Sequence, residues 1–175
     1  ISDDGLTYTF HLRDGLKWSD GSDLTAEDYV YTIQRVLTPA TAAQYVSMAT
    51  DYIKNAQEYY DGTATADDLG VMALDDKTLE ITLVQPTSYF IDILSMWTFS
   101  PVKKATVEAN GDKWSTEADT YICNGPFKIA SMSMNENALL EKHENSWDAA
   151  NVSLQKVTFR SVLDQATALT AYASG

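Results

Sequence analysis

Tyr8-Thr9-Phe10-His11-Leu12-Arg13-Asp14-Gly15-Leu16-Lys17-Trp18-Ser19-Asp20-Gly21, followed by Leu24-Thr25-Ala26-Glu27-Asp28-Tyr29-Val30-Tyr31, is the stretch from which the fold can be read. From Thr7 to Arg13 apolar and polar residues alternate. Tyr8, Phe10 and Leu12 share one face, and Thr9, His11 and Arg13 the other, which predicts a half-buried strand. Asp14-Gly15 turns the chain, Leu16-Lys17-Trp18 predicts a short second strand, and Ser19-Asp20-Gly21-Ser22 is a further turn. Thr25 stands three residues before Asp28, an aspartate form of the capping box, and the acidic first turn complements the helix dipole. Tyr29, Ile33, Val36 and Leu37 then recur at helical spacing, and Pro39 sets the stop because the residue before proline avoids the helical region.

Outward from this block, residues 41 to 60 predict a second helix with Tyr45, Met48, Ala49, Tyr52, Ala56 and Tyr59 on one stripe and Gly62 as its stop. Thr65 to Gly70 reads as a helical turn. Val71 to Leu74 and Thr78 to Val84 form a strand pair around Asp75-Asp76-Lys77, with Leu79, Ile81 and Leu83 facing inward. Ser88 to Trp97 and Lys103 to Asn110 predict helices, the latter with Gly111 as its stop. Phe127 to Ser133 and Ala138 to Glu144 form a hairpin around Asn135-Glu136-Asn137. Leu154 to Val162 is a strand and Gln165 to Ala173 a helix. Hairpin-like connections outnumber regular strand–helix–strand crossovers, so the class is α+β, or mixed α/β, rather than a doubly wound sheet. The chain runs from Ile1 straight into a strand and stops at Gly175 straight after a helix, so it is expected to be a piece of something longer.

Composition narrows the function classes. The 175 residues carry 12 Lys plus Arg against 25 Asp plus Glu, a formal net charge of -13. Such a surface repels phosphate backbones and anionic lipid, which sets aside nucleic acid and a direct membrane surface as partners. One cysteine, Cys123, rules out a disulfide within the chain and a cysteine-rich zinc site. No stretch is apolar enough to span a bilayer, and no signal peptide is present. There is no phosphate loop, nucleophile elbow or pair of histidines one helical turn apart. His11 reads as exposed, His143 as solvated between Lys142 and Glu144, and Cys123 as a half-buried thiol before a turn. The doublets Asp3-Asp4, Asp67-Asp68 and Asp75-Asp76 sit at turns or helix starts and are assigned to capping and solubility. Four Trp and ten Tyr fit either a core with polar tips or a cleft lined by amphipathic rings.

The opening block resembles the peptide-binding family of extracytoplasmic solute-binding proteins that serve ABC importers, its oligopeptide-binding branch above all. Further blocks agree in order: Asp68-Leu69-Gly70-Val71 with Ala73-Leu74-Asp75-Asp76-Lys77-Thr78; Ser100-Pro101-Val102 with Gly111-Asp112-Lys113-Trp114; and Asn124-Gly125-Pro126-Phe127 with Glu144-Asn145-Ser146-Trp147. The resemblance implies part of a two-lobed periplasmic-binding-protein-like II fold. Residues 1–104 would be the small lobe typical of peptide binders and residues 105–175 part of the main lobe. The parent's N-terminus and C-terminal half would be absent.

What the resemblance implies for function is capture of oligopeptides between lobes and delivery to ABC permease subunits, with no bond made or broken. It implies neither cofactor nor metal. The location would be extracytoplasmic, in the periplasm or on a cell-surface lipoprotein held by an anchor outside this chain. Pro39-Ala40-Thr41-Ala42-Ala43-Gln44-Tyr45 resembles a family segment ending in a tyrosine that contacts peptide, which places Tyr45 as a ligand-binding residue. Gln44 departs from the proline that close relatives tend to have. The competing reading has Tyr45 simply start the apolar stripe of the second helix. Rival functions are the same fold with a dipeptide, nickel complex, haem, oligosaccharide or signalling peptide as cargo; an acidic secreted hydrolase using two carboxylates; and a structural or adhesive module.

Overall fold

The computed structural model describes residues 1–133 and 136–174. They fall into two compact units, Ile1–Leu16 with Asp23–Lys104, and Lys17–Ser22 with Ala105–Gly175. Among the described residues each unit holds one three-stranded antiparallel sheet. Antiparallel sheets interspersed with helices make the chain mixed α+β, as its pattern predicts.

In the first unit β1 (Thr7–His11) and β2 (Val71–Asp75) flank β3 (Thr78–Thr82). The register sets Tyr8 and Val71 on either side of Ile81, and Phe10 opposite Leu79. One face therefore becomes a continuous apolar surface, as period-two alternation requires. Helix α1 (Ala26–Val36) covers it with Ala26, Val30, Ile33 and Val36. Its capping box is formed, with the Thr25 N–H donating to Asp28 Oδ2 at 2.9 Å, and Leu37 caps the end ahead of Pro39. The Tyr8 ring meets Phe90 edge-on at 5.2 Å, and its hydroxyl donates to Thr87 O at 2.8 Å.

Three predicted elements are corrected. Leu16-Lys17-Trp18 forms no regular strand; Leu24 N–H donates to Leu16 O, and Trp18 N–H to Ser22 O across a tight loop. The helix over 41–60 is broken into a 3-10 turn at Pro39–Thr41, α2 (Ser47–Thr50) and α3 (Ala56–Tyr60). Ile53 bridges Leu83, Lys54 N–H donates to Thr82 O, and Val84 N–H donates to Tyr52 O. Residues 52–54 thus pair with the end of β3 and the two residues after it. Ala42 and Asn55 take positive φ values of 49 and 58° on the way in and out, a region that non-glycine residues enter at a cost. Asn55 gains a side-chain bond to Asp68 O at 2.7 Å there. The stripe still does its packing: Ala49, Ile53 and Ala56 are buried, with Met48, Tyr52 and Tyr59 against them. The predicted helix at Ser88–Trp97 shortens to α4 (Phe90–Leu94), followed by a 3-10 turn at Trp97–Phe99.

The second unit has α5 (Lys104–Asn110) from Ala105 on, then β4 (Phe127–Met132), β5 (Asn137–Lys142) and β6 (Lys156–Arg160) in the order β4-β5-β6, and α6 (Gln165–Ser174). Of the predicted hairpin turn, Asn135 lies outside the described residues. Residues 17–22 join this unit through Ser19, whose N–H donates to Cys123 O at 2.7 Å while its Oγ accepts the Cys123 N–H at 3.2 Å. His143 corrects its prediction. It is 2% exposed, with its backbone N–H on Pro126 O at 2.9 Å and Nδ1 3.0 Å from Gly125 O. A carbonyl can only accept, so Nδ1 carries the proton. The ring holds the Asn124-Gly125-Pro126 loop to the end of β5, and two charged sequence neighbours did not keep it in solvent.

The exposed aspartates organise turns. Asp4 accepts from the Ser2 hydroxyl and Leu6 N–H, Asp68 from the Thr65 hydroxyl and N–H, and Asp75 from Lys77 N–H and the Thr78 hydroxyl. These bonds hold all three carboxyls below the ordinary aspartate range. A carboxyl whose folded pKa is depressed contributes stability that is fully present above its unfolded value, about 3.9, and lost as pH falls through the folded value. Lowering the charge of so acidic a chain also relieves repulsion, which acts the other way. The double variant Asp68→Asn, Asp75→Asn isolates the first effect. Its urea midpoint should fall less than the wild type's between pH 5 and pH 2.5.

Gly70 fits where no other residue would. A Cβ there would lie 2.7 Å from Thr82 O and 2.8 Å from Lys54 Cβ. Gly70→Ala is expected to cost about 1–3 kcal/mol by urea denaturation. Gly125→Ala, whose added carbon would meet nothing nearer than 4.0 Å, should stay within about 0.5 kcal/mol of wild type.

Candidate functional site

The breaking of the second helix determines where Tyr45 goes. After the 3-10 turn Ala42 occupies the left-handed region, and residues 43–46 climb into α2 with Val46 N–H on Ala43 O and Met48 N–H on Tyr45 O. Ala43, Val46 and Met48 pack on the core of the first unit. Tyr45 is half-buried, and its ring stands edge-on to Trp97 with centroids 5.4 Å apart and planes at 88°. That geometry sets the positive ring edge of one partner against the negative face of the other.

Trp97 is 66% exposed. Phe99, two residues on, is buried, and Met96 packs against the core. The 3-10 turn is pinned by these neighbours and leaves the indole outside. A second edge-on pair, Tyr52 with Tyr89 at 6.1 Å and 84°, lies in the same unit. The Tyr52 hydroxyl is held above the ordinary tyrosine range, first by its hydrogen bond with Tyr89 and then by burial. Sequence reasoning missed Trp97 and Tyr89 as partners. Aromatic abundance signalled that rings matter, but pairing across tens of residues leaves no local trace.

The other singled-out residues do not form reactive groups. Cys123 Sγ donates to Phe127 O at 3.3 Å, and burial pushes the thiol up, away from the reactive thiolate. His11 is exposed on the polar face of β1. The acidic doublets stay in their separate turns. Every described carboxyl with a resolved shift, Asp4, Asp14, Asp68, Asp75, Glu141 and Asp164, is lowered by hydrogen bonds, led by a side-chain donor in each but Asp75, where the Lys77 N–H leads. A general acid needs the opposite shift. Among the described residues no group of three or more His, Cys, Asp or Glu could hold a metal ion, and no helix is long and apolar enough to cross a membrane.

Comparison with known proteins matches this arrangement to one family. The family described as bacterial extracellular solute-binding proteins, family 5 Middle, matches residues 1–175. The periplasmic oligopeptide-binding protein OppA of Salmonella typhimurium is 40% identical over 173 residues, covering 98% of this chain and 32% of that protein. A periplasmic protein of Escherichia coli, YgiS, named as a probable deoxycholate-binding protein, is 38% identical over 176 residues, covering 100% of this chain and 33% of its own length. The crystal structure of a periplasmic oligopeptide-binding protein from Borrelia burgdorferi is 43% identical with a TM-score of 0.95, over 99% of this chain and 35% of that one. The chain thus spans about a third of the length of these relatives. With its fold and sequence matched from end to end, it belongs to the family 5 bacterial extracellular solute-binding proteins.

Proposed function

We propose that the chain is the early part of a binding protein that captures oligopeptides outside the cytoplasmic membrane and hands them to an ABC permease. The observation that carries this reading is Tyr45, held by Trp97 at the surface and away from the core, at the position where the family segment ends in a peptide-contacting tyrosine. The first unit, Ile1–Leu16 with Asp23–Lys104, is the small lobe on this reading, and the second is the start of the main lobe, with residues 17–22 belonging to the latter. The parent would be periplasmic or a lipid-anchored surface protein.

The mechanism is binding without chemistry. An extended peptide pairs its main chain with the protein, which gives affinity without demanding a sequence. Hydrated pockets accommodate its side chains. Closure of the lobes is a hinge motion, favoured because the ligand contacts both sides only in the closed form. Support for a missing opposite side comes from the second unit, where Leu154, Phe159, Leu163 (97% exposed), Leu169 and Tyr172 (86%) face outward. So much apolar surface is unusual unless something covers it.

Two measurements test the reading. By calorimetry with mixed short peptides, the 175-residue chain alone should bind more weakly than micromolar, and tight binding would contradict the division of the site between lobes. In the full-length protein Tyr45→Ala should weaken peptide affinity about ten-fold while leaving the thermal midpoint within a few degrees. Unchanged affinity would return Tyr45 to a packing role.

A further inference from the structure

Trp97 combines a fixed backbone with an uncovered ring. It opens the 3-10 turn Trp97–Phe99, its carbonyl accepts the Ser100 N–H at 3.1 Å, and the Phe99 N–H donates to Met96 O at 3.0 Å. Phe99 is buried and Met96 packs against the core, so the turn is anchored while the indole stays outside. Among the described residues the ring partner of the indole is Tyr45. Tyr45 is less firmly placed. Its segment enters through Ala42 at φ 49° and is held ahead of α2 by a 3.3 Å bond from Val46 N–H to Ala43 O. Ala43, Val46 and Met48 turn to the core and Tyr45 does not. A tyrosine free of the core has three staggered χ1 wells to sample. Contact with the indole favours the well in which the two rings meet edge-on.

We propose that Trp97 is a positioning residue for peptide capture: it presets the Tyr45 ring in the orientation that meets the ligand and does not hold the ligand itself. The inference rests on Tyr45 contacting peptide. Ordering a side chain before binding removes a cost that binding would otherwise carry. Apparent affinity falls in proportion to the fraction of molecules in the competent conformation. With the indole in place that fraction is close to one. With the three wells equally open it drops to about one third, so losing the indole weakens binding about three-fold. Phenylalanine at position 97 would still offer Tyr45 a ring to meet, and leucine would not.

The test is a double-mutant cycle in the full-length protein, read by calorimetry with penta-alanine, a peptide that offers backbone and little side chain to select. Trp97→Ala should weaken binding about three-fold, and Trp97→Leu, which keeps apolar bulk without a ring, by about the same factor. Trp97→Phe should stay within about 1.5-fold of wild type, because the edge-on pair is retained. With Tyr45→Ala already present, Trp97→Ala should cost nothing further. Each Trp97 variant should keep the thermal midpoint within a few degrees of wild type, since the indole lies outside the core. An equal loss from Trp97→Ala in both backgrounds would overturn the inference, because Trp97 would then touch the peptide itself. So would leucine serving as well as phenylalanine, or affinity losses that track losses of thermal midpoint across the variants. If Tyr45→Ala weakens binding and Trp97→Ala does not, only the positioning role fails. If Tyr45→Ala changes nothing, or the wild type does not bind penta-alanine, the reading beneath fails and this inference with it.

Discussion

The pairing of residues 52–54 with 82–84 is the constraint on which the rest of the first unit depends. Lys54 N–H donates to Thr82 O and its carbonyl accepts the Gly70 N–H, while Gly70 O accepts the Thr82 N–H and Tyr52 O the Val84 N–H. Three backbone segments meet here at a distance only glycine permits at position 70. These groups would be expensive to bury unpaired, so the chain gives up a long helix over 41–60 to satisfy them. The break makes residues 42–46 a climbing turn, with Ala42 and Gln44 exposed, and takes Tyr45 off the stripe. Trp97 then has a ring to meet. The aromatic surface is a consequence of a backbone requirement some distance from it.

The same constraint explains what could be read from the sequence. β1, β2, β3 and α1 were legible because their signals are local: alternation over 7–13, an aspartate turn at 75–77, a capping box at Thr25. The predicted stripe packs on the core through Met48, Ala49, Tyr52, Ala56 and Tyr59 but not through Tyr45, and helical spacing cannot show that Ile53 must bridge Leu83, thirty residues on. His143 failed in a similar way. Its neighbours Lys142 and Glu144 suggest solvent, but Gly125 O and Pro126 O, which claim it, lie far off in sequence. For the candidate site, Tyr45 was reachable through resemblance and Trp97 was not, since nothing local marks an exposed indole as the partner of a tyrosine fifty-two residues earlier.

The motif residues that reveal the family make turns, caps and close approaches: Asp14-Gly15, Thr25 with Asp28, Gly70, Gly125-Pro126. Their observed contacts are those of backbone turns, a cap and a close approach. Relatives named for an oligopeptide and for deoxycholate match this chain at 40% and 38% identity. That near-equality is expected if the third of the relatives' length that this chain matches is mostly scaffold. Whole-chain similarity is then a strong guide to architecture and a poor one to cargo.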